Sequence, residues 1–159
     1  ENASIEVSAG VFEQVGETRV TGAEIGFAGG ITERWHLFGG YSYLDSELVR
    51  SGFEDTAEGQ QLTNTPEHSV SLLTNYDLTE RLTIGGGANY VSEVFGSVTS
   101  DPRKTVPAYW RYDAMAAWEI LDAVEVQLNV QNLTDEVYYT KAYASHYAAK
   151  GPGRQVLLT

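Results

Sequence analysis

Alternation between apolar and polar residues is the clearest pattern in this chain, and it is strictest across residues 124–131. The apolar positions of this stretch are Val124, Val126, Leu128 and Val130. The positions between them are Glu125, Gln127, Asn129 and Gln131. Because successive side chains of a β-strand point to opposite faces, the stretch predicts a strand with one apolar face and one polar face.

Similar segments recur along the chain, and no segment shows the spacing of an amphipathic helix. Glycines fall in pairs and in one triple inside these segments, where they would disrupt a helix but suit a bent sheet. We therefore predict an all-β, antiparallel fold with about seven strands. The predicted strands are Glu17–Gly30, Trp35–Val49, His68–Leu78, Leu82–Phe95, Ala108–Leu121, Val124–Leu133 continuing toward Tyr139, and a last one from Arg154 onward.

The connections between these strands alternate in length. Short turns are predicted near residues 32–34, 79–81 and 122–123, and long loops at residues 50–66, 96–107 and 140–153. In an antiparallel sheet this order places the short turns at one end and the long loops at the other. Outer-membrane β-barrels have this arrangement, with short periplasmic turns and long extracellular loops.

Aromatic residues occur at both ends of the predicted apolar face. Near the short turns they are Trp35, Tyr76 and Trp118, and toward the long loops they are Tyr43, Tyr90 and Trp110. Two aromatic girdles flanking an apolar band are typical of a lipid-facing barrel wall, whose polar face would line the lumen. The alternative is that these aromatic side chains form the core of a soluble β-sandwich.

Charge and composition exclude several classes of function. The net charge of −12 argues against a nucleic-acid partner, because phosphates require a basic surface. The three histidines are far apart and cysteine is absent, so no metal site and no cofactor is expected. We also expect no catalytic residues. An outer-membrane protease or phospholipase is the enzymatic alternative, and it would depend on His146 at the barrel mouth.

Four short stretches carry a resemblance to a known family. They are Asn64–Ser69 (NTPEHS), Val106–Tyr109 leading to Arg111–Ala114, Asn129–Asp135 (NVQNLTD) with Tyr138 and Tyr139, and Gly151–Arg154 (GPGR). In this order the chain resembles the C-terminal β-barrel region of TonB-dependent outer-membrane receptors, in particular siderophore receptors. The signature residues are Asn64, Pro66, Asn129, Asn132, Leu133, Asp135, Tyr138, Tyr139, Gly151 and Arg154.

The resemblance implies that residues 1–159 are the C-terminal part of a barrel of about 22 strands in a Gram-negative outer membrane. We interpret both ends of the chain as cuts, with the plug domain absent. The implied partners are a ferric siderophore, outer-membrane lipid, the missing strands and plug, and the TonB energy-coupling complex. Three alternatives stay open: a receptor for a cobalamin, sugar or other metal chelate; a passive porin or adhesin-like barrel; and a soluble β-sandwich binding module.

The long loops hold the candidate ligand residues, which are Arg103, Lys104, Lys141, Tyr143, His146, Tyr147 and Lys150. Ferric siderophores are bulky, often anionic and often aromatic. Tyrosine rings would stack on them, and lysine and arginine would pair with their charge. The alternative is that these tyrosines pack one loop against another or extend the upper aromatic girdle.

Overall fold

The computed structural model describes residues 2–8, 11–51, 58–97, 105–143 and 147–159, with side chains from residue 16 onward. All regular structure in these ranges is β-strand. The strands are β1 (Asn2–Ser8), β2 (Val11–Gly30), β3 (Trp35–Ser51), β4 (His68–Thr79), β5 (Leu82–Val91), β6 (Val94–Phe95), β7 (Thr105–Val106), β8 (Tyr109–Leu121), β9 (Val124–Gln131), β10 (Tyr139–Tyr143), β11 (Tyr147–Lys150) and β12 (Gln155–Leu158).

Eight of the strands form one antiparallel sheet in the order β1-β2-β3-β4-β5-β8-β9-β12. Neighbours in the sheet are also consecutive among its strands, so the sheet is a simple meander. The turns β2–β3, β4–β5 and β8–β9 are short, and the connections β3–β4, β5–β8 and β9–β12 are long. The predicted alternation of short turns and long connections is therefore present in the described residues.

The strand register gives one face an apolar surface. Trp35 lies opposite Tyr76, which lies opposite Ile84, and the same row continues through Ala116 to Leu128. The same register places all six predicted girdle aromatics on this surface, which we call the apolar face. Large apolar side chains on this face are highly exposed in this chain. Ile25, for example, is 66% exposed and Trp118 is 57% exposed.

The two aromatic rows of the apolar face have the same separation on the two strands that carry a residue of each row. Eight residues separate Trp35 from Tyr43 on β3, and eight separate Trp110 from Trp118 on β8. At about 3.4 Å per residue and a strand tilt of about 40°, this spacing gives about 21 Å across a membrane, close to the apolar band of outer-membrane barrels. Their identity as membrane girdles stays a prediction.

The other face of the sheet, which we call the polar face, carries hydrogen-bonded side chains. Ser71 Oγ donates to Asn89 Oδ1 at 3.1 Å, and Thr83 Oγ1 donates to Asp77 Oδ1 at 2.7 Å. One apolar pair interrupts this surface, because Phe38 lies directly opposite Leu73 with exposed fractions of 40% and 45%. Apolar residues at these two positions depart from the predicted polar character of this face.

Two of the three short turns, β2–β3 and β4–β5, share one hydrogen-bonding pattern. Thr32 Oγ1 accepts hydrogen bonds from the backbone N–H groups of Arg34 and Trp35, at 3.3 and 3.1 Å. Thr79 Oγ1 accepts the corresponding bond from Arg81 at 3.2 Å. The repeated Thr-Glu-Arg sequence thus encodes a repeated turn, in which a threonine hydroxyl satisfies backbone donors that the sheet leaves unpaired.

Several strand boundaries differ from the predictions. The predicted strand Leu82–Phe95 ends at Val91, because residues 94–95 pair with β7 in a separate two-stranded sheet. The strand predicted from Val124 ends at Gln131, because the next residue, Asn132, has a left-handed backbone with φ of 51°. The predicted loop 140–153 contains most of the hairpin β10–β11, and β1 was not predicted at all.

No helix in the described part of the chain is long and apolar enough to cross a membrane.

Candidate functional site

The end of the sheet with the long connections holds the candidate ligand residues. Strands β10 and β11 form a hairpin there, and its register pairs Tyr143 with Tyr147. The two rings stack with centroids 5.3 Å apart and an angle of 29° between their planes. Both rings are solvent-exposed in this chain, at 45% and 69%.

The β10–β11 hairpin has two different faces. Lys141 is two residues before Tyr143, so both side chains leave β10 on the same side. Ala142 points the opposite way and is buried at 6% exposure. Lys150 is exposed at the end of β11. The other predicted ligand residues, Arg103, Lys104 and His146, lie outside the described residues.

The buried side of the hairpin packs on the small sheet formed by β6 and β7. Val94, Val106 and Ala142 form a buried cluster, and Ala148 packs against it. This packing therefore uses valine and alanine side chains, whereas the Tyr143 ring lies on the opposite side of β10. Of the two interpretations of the loop tyrosines, this arrangement favours presentation to a ligand.

Asn64 connects three of the long segments. Its backbone N–H donates to the carbonyl of Phe95 in β6 at 2.9 Å. Its side-chain Nδ2 donates to the Ala142 carbonyl at 2.9 Å, and its Oδ1 accepts from the Ala142 N–H at 2.8 Å. The signature residue at position 64 thus joins the β3–β4 connection to both β6 and β10.

A second group of signature residues forms the base of the β10–β11 hairpin, and Asn132 lies at its centre with an exposed fraction of 1%. Its Nδ2 donates to the carbonyls of Glu136 at 2.9 Å and Pro152 at 3.1 Å, while its Oδ1 accepts from the Glu136 N–H at 2.9 Å. Asp135 Oδ1 accepts from the Arg154 N–H at 2.8 Å. These bonds tie the chain entering the hairpin to the chain leaving it.

Tyr138 completes this base. Its ring is buried at 4% exposure, lies 4.5 Å from the Tyr109 ring, and covers Gly151. The Tyr138 carbonyl accepts a hydrogen bond from the Gly151 N–H at 2.8 Å. Because Tyr109 belongs to β8, this ring contact joins β8 directly to the hairpin base.

Asp113 links this base to the polar face of the sheet. Its Oδ2 lies 2.9 Å from Arg111 Nη2, and its Oδ1 accepts from the Asn132 backbone N–H at 2.9 Å. Asn89 Nδ2 also donates to Asp113 Oδ2 at 3.5 Å. A groove of about 300 Å³ beside Asp113 is lined by polar side chains of β9, among them Gln127, Asn129 and Gln131.

These arrangements show what the site can do chemically. Among the described residues, no group of three or more histidine, aspartate or glutamate side chains could hold a metal ion. The hairpin instead presents stacked aromatic rings with the exposed Lys141 on the same side, a combination suited to recognition of an anionic aromatic molecule. Most of the signature residues form hydrogen-bonded joints. Sequence reasoning found these residues through their family pattern, but it missed their structural partners, since Asn64 and Ala142 are 78 positions apart.

Comparison with known proteins identifies the family. The family described as "TonB dependent receptor-like, beta-barrel" matches residues 2–133. The chain is 48% identical to the probable TonB-dependent receptor BfrD of Bordetella pertussis, over 99% of this chain and 22% of that protein. It is 40% identical to the probable TonB-dependent siderophore receptor PiuA of Acinetobacter baumannii, over the same shares. The chain thus spans about a fifth of the length of these relatives.

Solved structures agree with this assignment. The crystal structure of PiuA from Acinetobacter baumannii superposes on 99% of this chain with a TM-score of 0.88, and the match covers 23% of the PiuA chain. The closed form of the ferric-catecholate import receptor Fiu from E. coli K12 is 29% identical, with a TM-score of 0.82 over 99% of this chain and 23% of its own. The chain therefore belongs to the TonB-dependent receptor β-barrel family, whose members lie in the outer membrane of Gram-negative bacteria.

Proposed function

We propose that residues 1–159 are the C-terminal part of the β-barrel of a receptor that binds a ferric siderophore and imports it with energy supplied through TonB. Relatives of this chain are named for siderophores, among them PiuA and the catecholate siderophore receptor Fiu of Escherichia coli. The remainder of such a receptor would supply the other strands and the plug domain. In this function the chain provides wall and ligand contacts, and it performs no catalysis.

One observation carries the ligand assignment. The β10–β11 hairpin presents the stacked rings of Tyr143 and Tyr147 on its accessible side, with Lys141 on that side and Lys150 at its base. An anionic, aromatic iron chelate would gain stacking from the rings and charge pairing from the ammonium groups. Arg103, Lys104 and His146 are proposed to add to this surface.

The two faces of the sheet fit the same function. We place the apolar face against lipid, with Trp35, Tyr76 and Trp118 at the periplasmic boundary and Tyr43, Tyr90 and Trp110 at the extracellular one. Tryptophan and tyrosine favour these boundaries because their rings are apolar and their N–H or O–H groups are polar. The polar face then lines the lumen, where Arg111 and Asp113 lie.

The ligand assignment is tested in the full-length receptor. The double variant Tyr143→Ala/Tyr147→Ala removes the stack, and Tyr143→Phe/Tyr147→Phe is the matched control because it keeps both rings. The probe is radiolabelled iron(III) complexed with 2,3-dihydroxybenzoate, a simple catecholate. We expect the alanine variant to bind the probe about tenfold more weakly or worse, since aromatic contacts contribute about 0.5–1.5 kcal/mol each, and the phenylalanine variant to bind nearly normally. Equal affinity in all three proteins would refute the assignment.

Active transport is tested separately. Uptake of the labelled probe by cells that carry the receptor should stop when TonB is deleted, while surface binding persists. Uptake that continues without TonB would identify a passive porin instead.

A further inference from the structure

We propose that the side-chain amide of Asn64 acts as a substitute peptide group that fixes the β10–β11 hairpin and thereby positions Tyr143 and Tyr147 for ligand. Asn64 is a positioning residue in this proposal and does not itself touch ligand. The inference rests on the proposed function, because it concerns the same hairpin.

The two hydrogen bonds between Asn64 and Ala142 have the pattern of a strand pair. Asn64 Nδ2 donates to the Ala142 carbonyl, and Asn64 Oδ1 accepts from the Ala142 N–H. In an antiparallel sheet, one residue exchanges both of its backbone bonds with a single partner in this way. The side chain therefore occupies the place of a neighbouring strand on the free edge of β10.

This bond pattern also explains why β10 needs a partner on that edge. Both backbone groups of Ala142 point toward Asn64, so they point away from β11, to which Ala142 is paired through Ala148. A short hairpin with an open edge is marginally stable in water. Asn64 closes that edge at Ala142, one residue before the end of β10.

Asn64 is bonded to β6, and the segment that carries it is bonded to β3 of the main sheet. Its N–H is bonded to Phe95, and its backbone has φ of 53°, a left-handed conformation that asparagine adopts more readily than most residues. The segment before and after it runs along β3, where Leu48 N–H donates to the Gln60 carbonyl at 2.9 Å. Leu44 N–H donates to the Glu67 carbonyl at 2.9 Å. The main sheet thus fixes the segment that carries Asn64, and Asn64 in turn fixes the hairpin through Ala142.

Ala142 transmits this restraint to the candidate ligand residues. Its side chain is buried against Val94 and Val106, and its backbone is bonded to Asn64. Tyr143 is the next residue, and its ring stacks on Tyr147. A shift of the backbone at Ala142 would therefore displace the aromatic pair.

The test separates the amide from the unusual backbone conformation. Asn64→Gly removes the amide and keeps the left-handed conformation, which glycine adopts without strain. Asn64→Asp keeps the acceptor for the Ala142 N–H and loses the donor. Thr63→Ala is the matched control at the preceding exposed position. Each variant is made in the full-length receptor, and hydrogen exchange of the Ala142 amide is measured in detergent without ligand.

In Asn64→Gly we expect the Ala142 amide to exchange about tenfold faster, with Asn64→Asp intermediate and Thr63→Ala unchanged. The amide of Ala117 in β8 should keep its normal rate, which shows that the barrel wall stays folded. We also expect Asn64→Gly to bind the iron(III)–2,3-dihydroxybenzoate probe about tenfold more weakly than the native receptor.

Each remaining outcome contradicts the proposal. Unchanged exchange at Ala142 would show that the amide does not hold the hairpin, and faster exchange at Ala117 as well would show general unfolding instead. Faster exchange at Ala142 with normal affinity would refute positioning, provided that the Tyr143/Tyr147 alanine variant binds weakly. If that tyrosine variant binds normally, the ligand assignment is refuted. The positioning role of Asn64 is then refuted as well, even if the Ala142 amide exchanges faster.

Discussion

The aromatic ring of Tyr138 lies directly over Gly151, in the place that a side chain at residue 151 would need. A Cβ built on Gly151 would come within 2.8 Å of three ring atoms, which is closer than van der Waals contact allows. The Gly151 N–H also donates to the Tyr138 carbonyl at 2.8 Å. The two residues are therefore joined by a ring-to-backbone contact and by a backbone hydrogen bond. Both lie where the chain leaves the hairpin for β12.

Replacing Gly151 with alanine should destabilise the receptor. The new methyl group overlaps the buried Tyr138 ring, and overpacking of this kind costs about 1–3 kcal/mol. The measurement is the apparent Tm of the full-length receptor in detergent. Gly29→Ala is the control, because a Cβ at Gly29 meets no atom within 4 Å. The decrease in Tm of the double variant Gly151→Ala/Tyr138→Ala should be smaller than the sum of the decreases in the two single variants. Strictly additive decreases would show that the new methyl group and the ring do not overlap.

Replacing Asn132 with glycine should impair folding of the hairpin base. Glycine keeps the left-handed backbone, so the change isolates the loss of three side-chain hydrogen bonds to Glu136 and Pro152. Each buried group left without a partner costs about 1–3 kcal/mol. We expect a smaller folded fraction in outer-membrane extracts, judged by heat-modifiable migration in gels. Thr134→Ala, on the same turn but exposed, should migrate like the native receptor, and a normal folded fraction in the Asn132 variant would contradict the role assigned here.

The sequence was sufficient for the parts of the fold that local patterning controls. Alternation placed Val130 and Gln131 on opposite faces, and the register of β9 with β8 and β12 agrees. Local patterning could not reveal the β10–β11 hairpin, because short strands that are packed through alanine lack a clear period of two. It also could not reveal β6, which is two residues long and pairs with β7 across a long connection.

The candidate site was only partly predictable for a related reason. Tyr143 and Tyr147 were identifiable by residue type, since aromatic rings in a long loop are candidates for stacking. The partners of the signature residues were not, because the Asn64–Ala142 contact depends on the tertiary packing of β6 and β10. Asparagine is tolerated in the left-handed region, but its presence in a sequence does not show which asparagines adopt it. Tertiary contacts decide that.

The stability of an Asp113 variant should depend on which of the Asp113 side-chain contacts it retains. Asp113→Asn keeps an oxygen that can accept from the Asn132 N–H but loses the charge opposite Arg111, whereas Asp113→Ala loses both contacts. Because removing one partner of a half-buried ion pair leaves the other charge poorly compensated, both variants should lower the apparent Tm. The alanine variant should be the less stable of the two. An equal decrease in Tm in the two variants would show that the ion pair with Arg111 accounts for the whole effect. The hydrogen bond from the Asn132 N–H would then contribute nothing.

Replacing Val130 with lysine tests which face of the sheet contacts lipid. Val130 pairs with Ala114, midway along β8 between Trp110 and Trp118, so the apolar-face assignment places it near the centre of the membrane. A lysine at this position should lower the folding stability of the barrel in the membrane by about 2–4 kcal/mol. It should therefore reduce the amount of folded receptor in the outer membrane. Gln131→Lys is the matched control one residue away on the polar face, where the ammonium group would meet the lumen. It should insert normally, and an equal loss from both variants would refute the assignment of the faces.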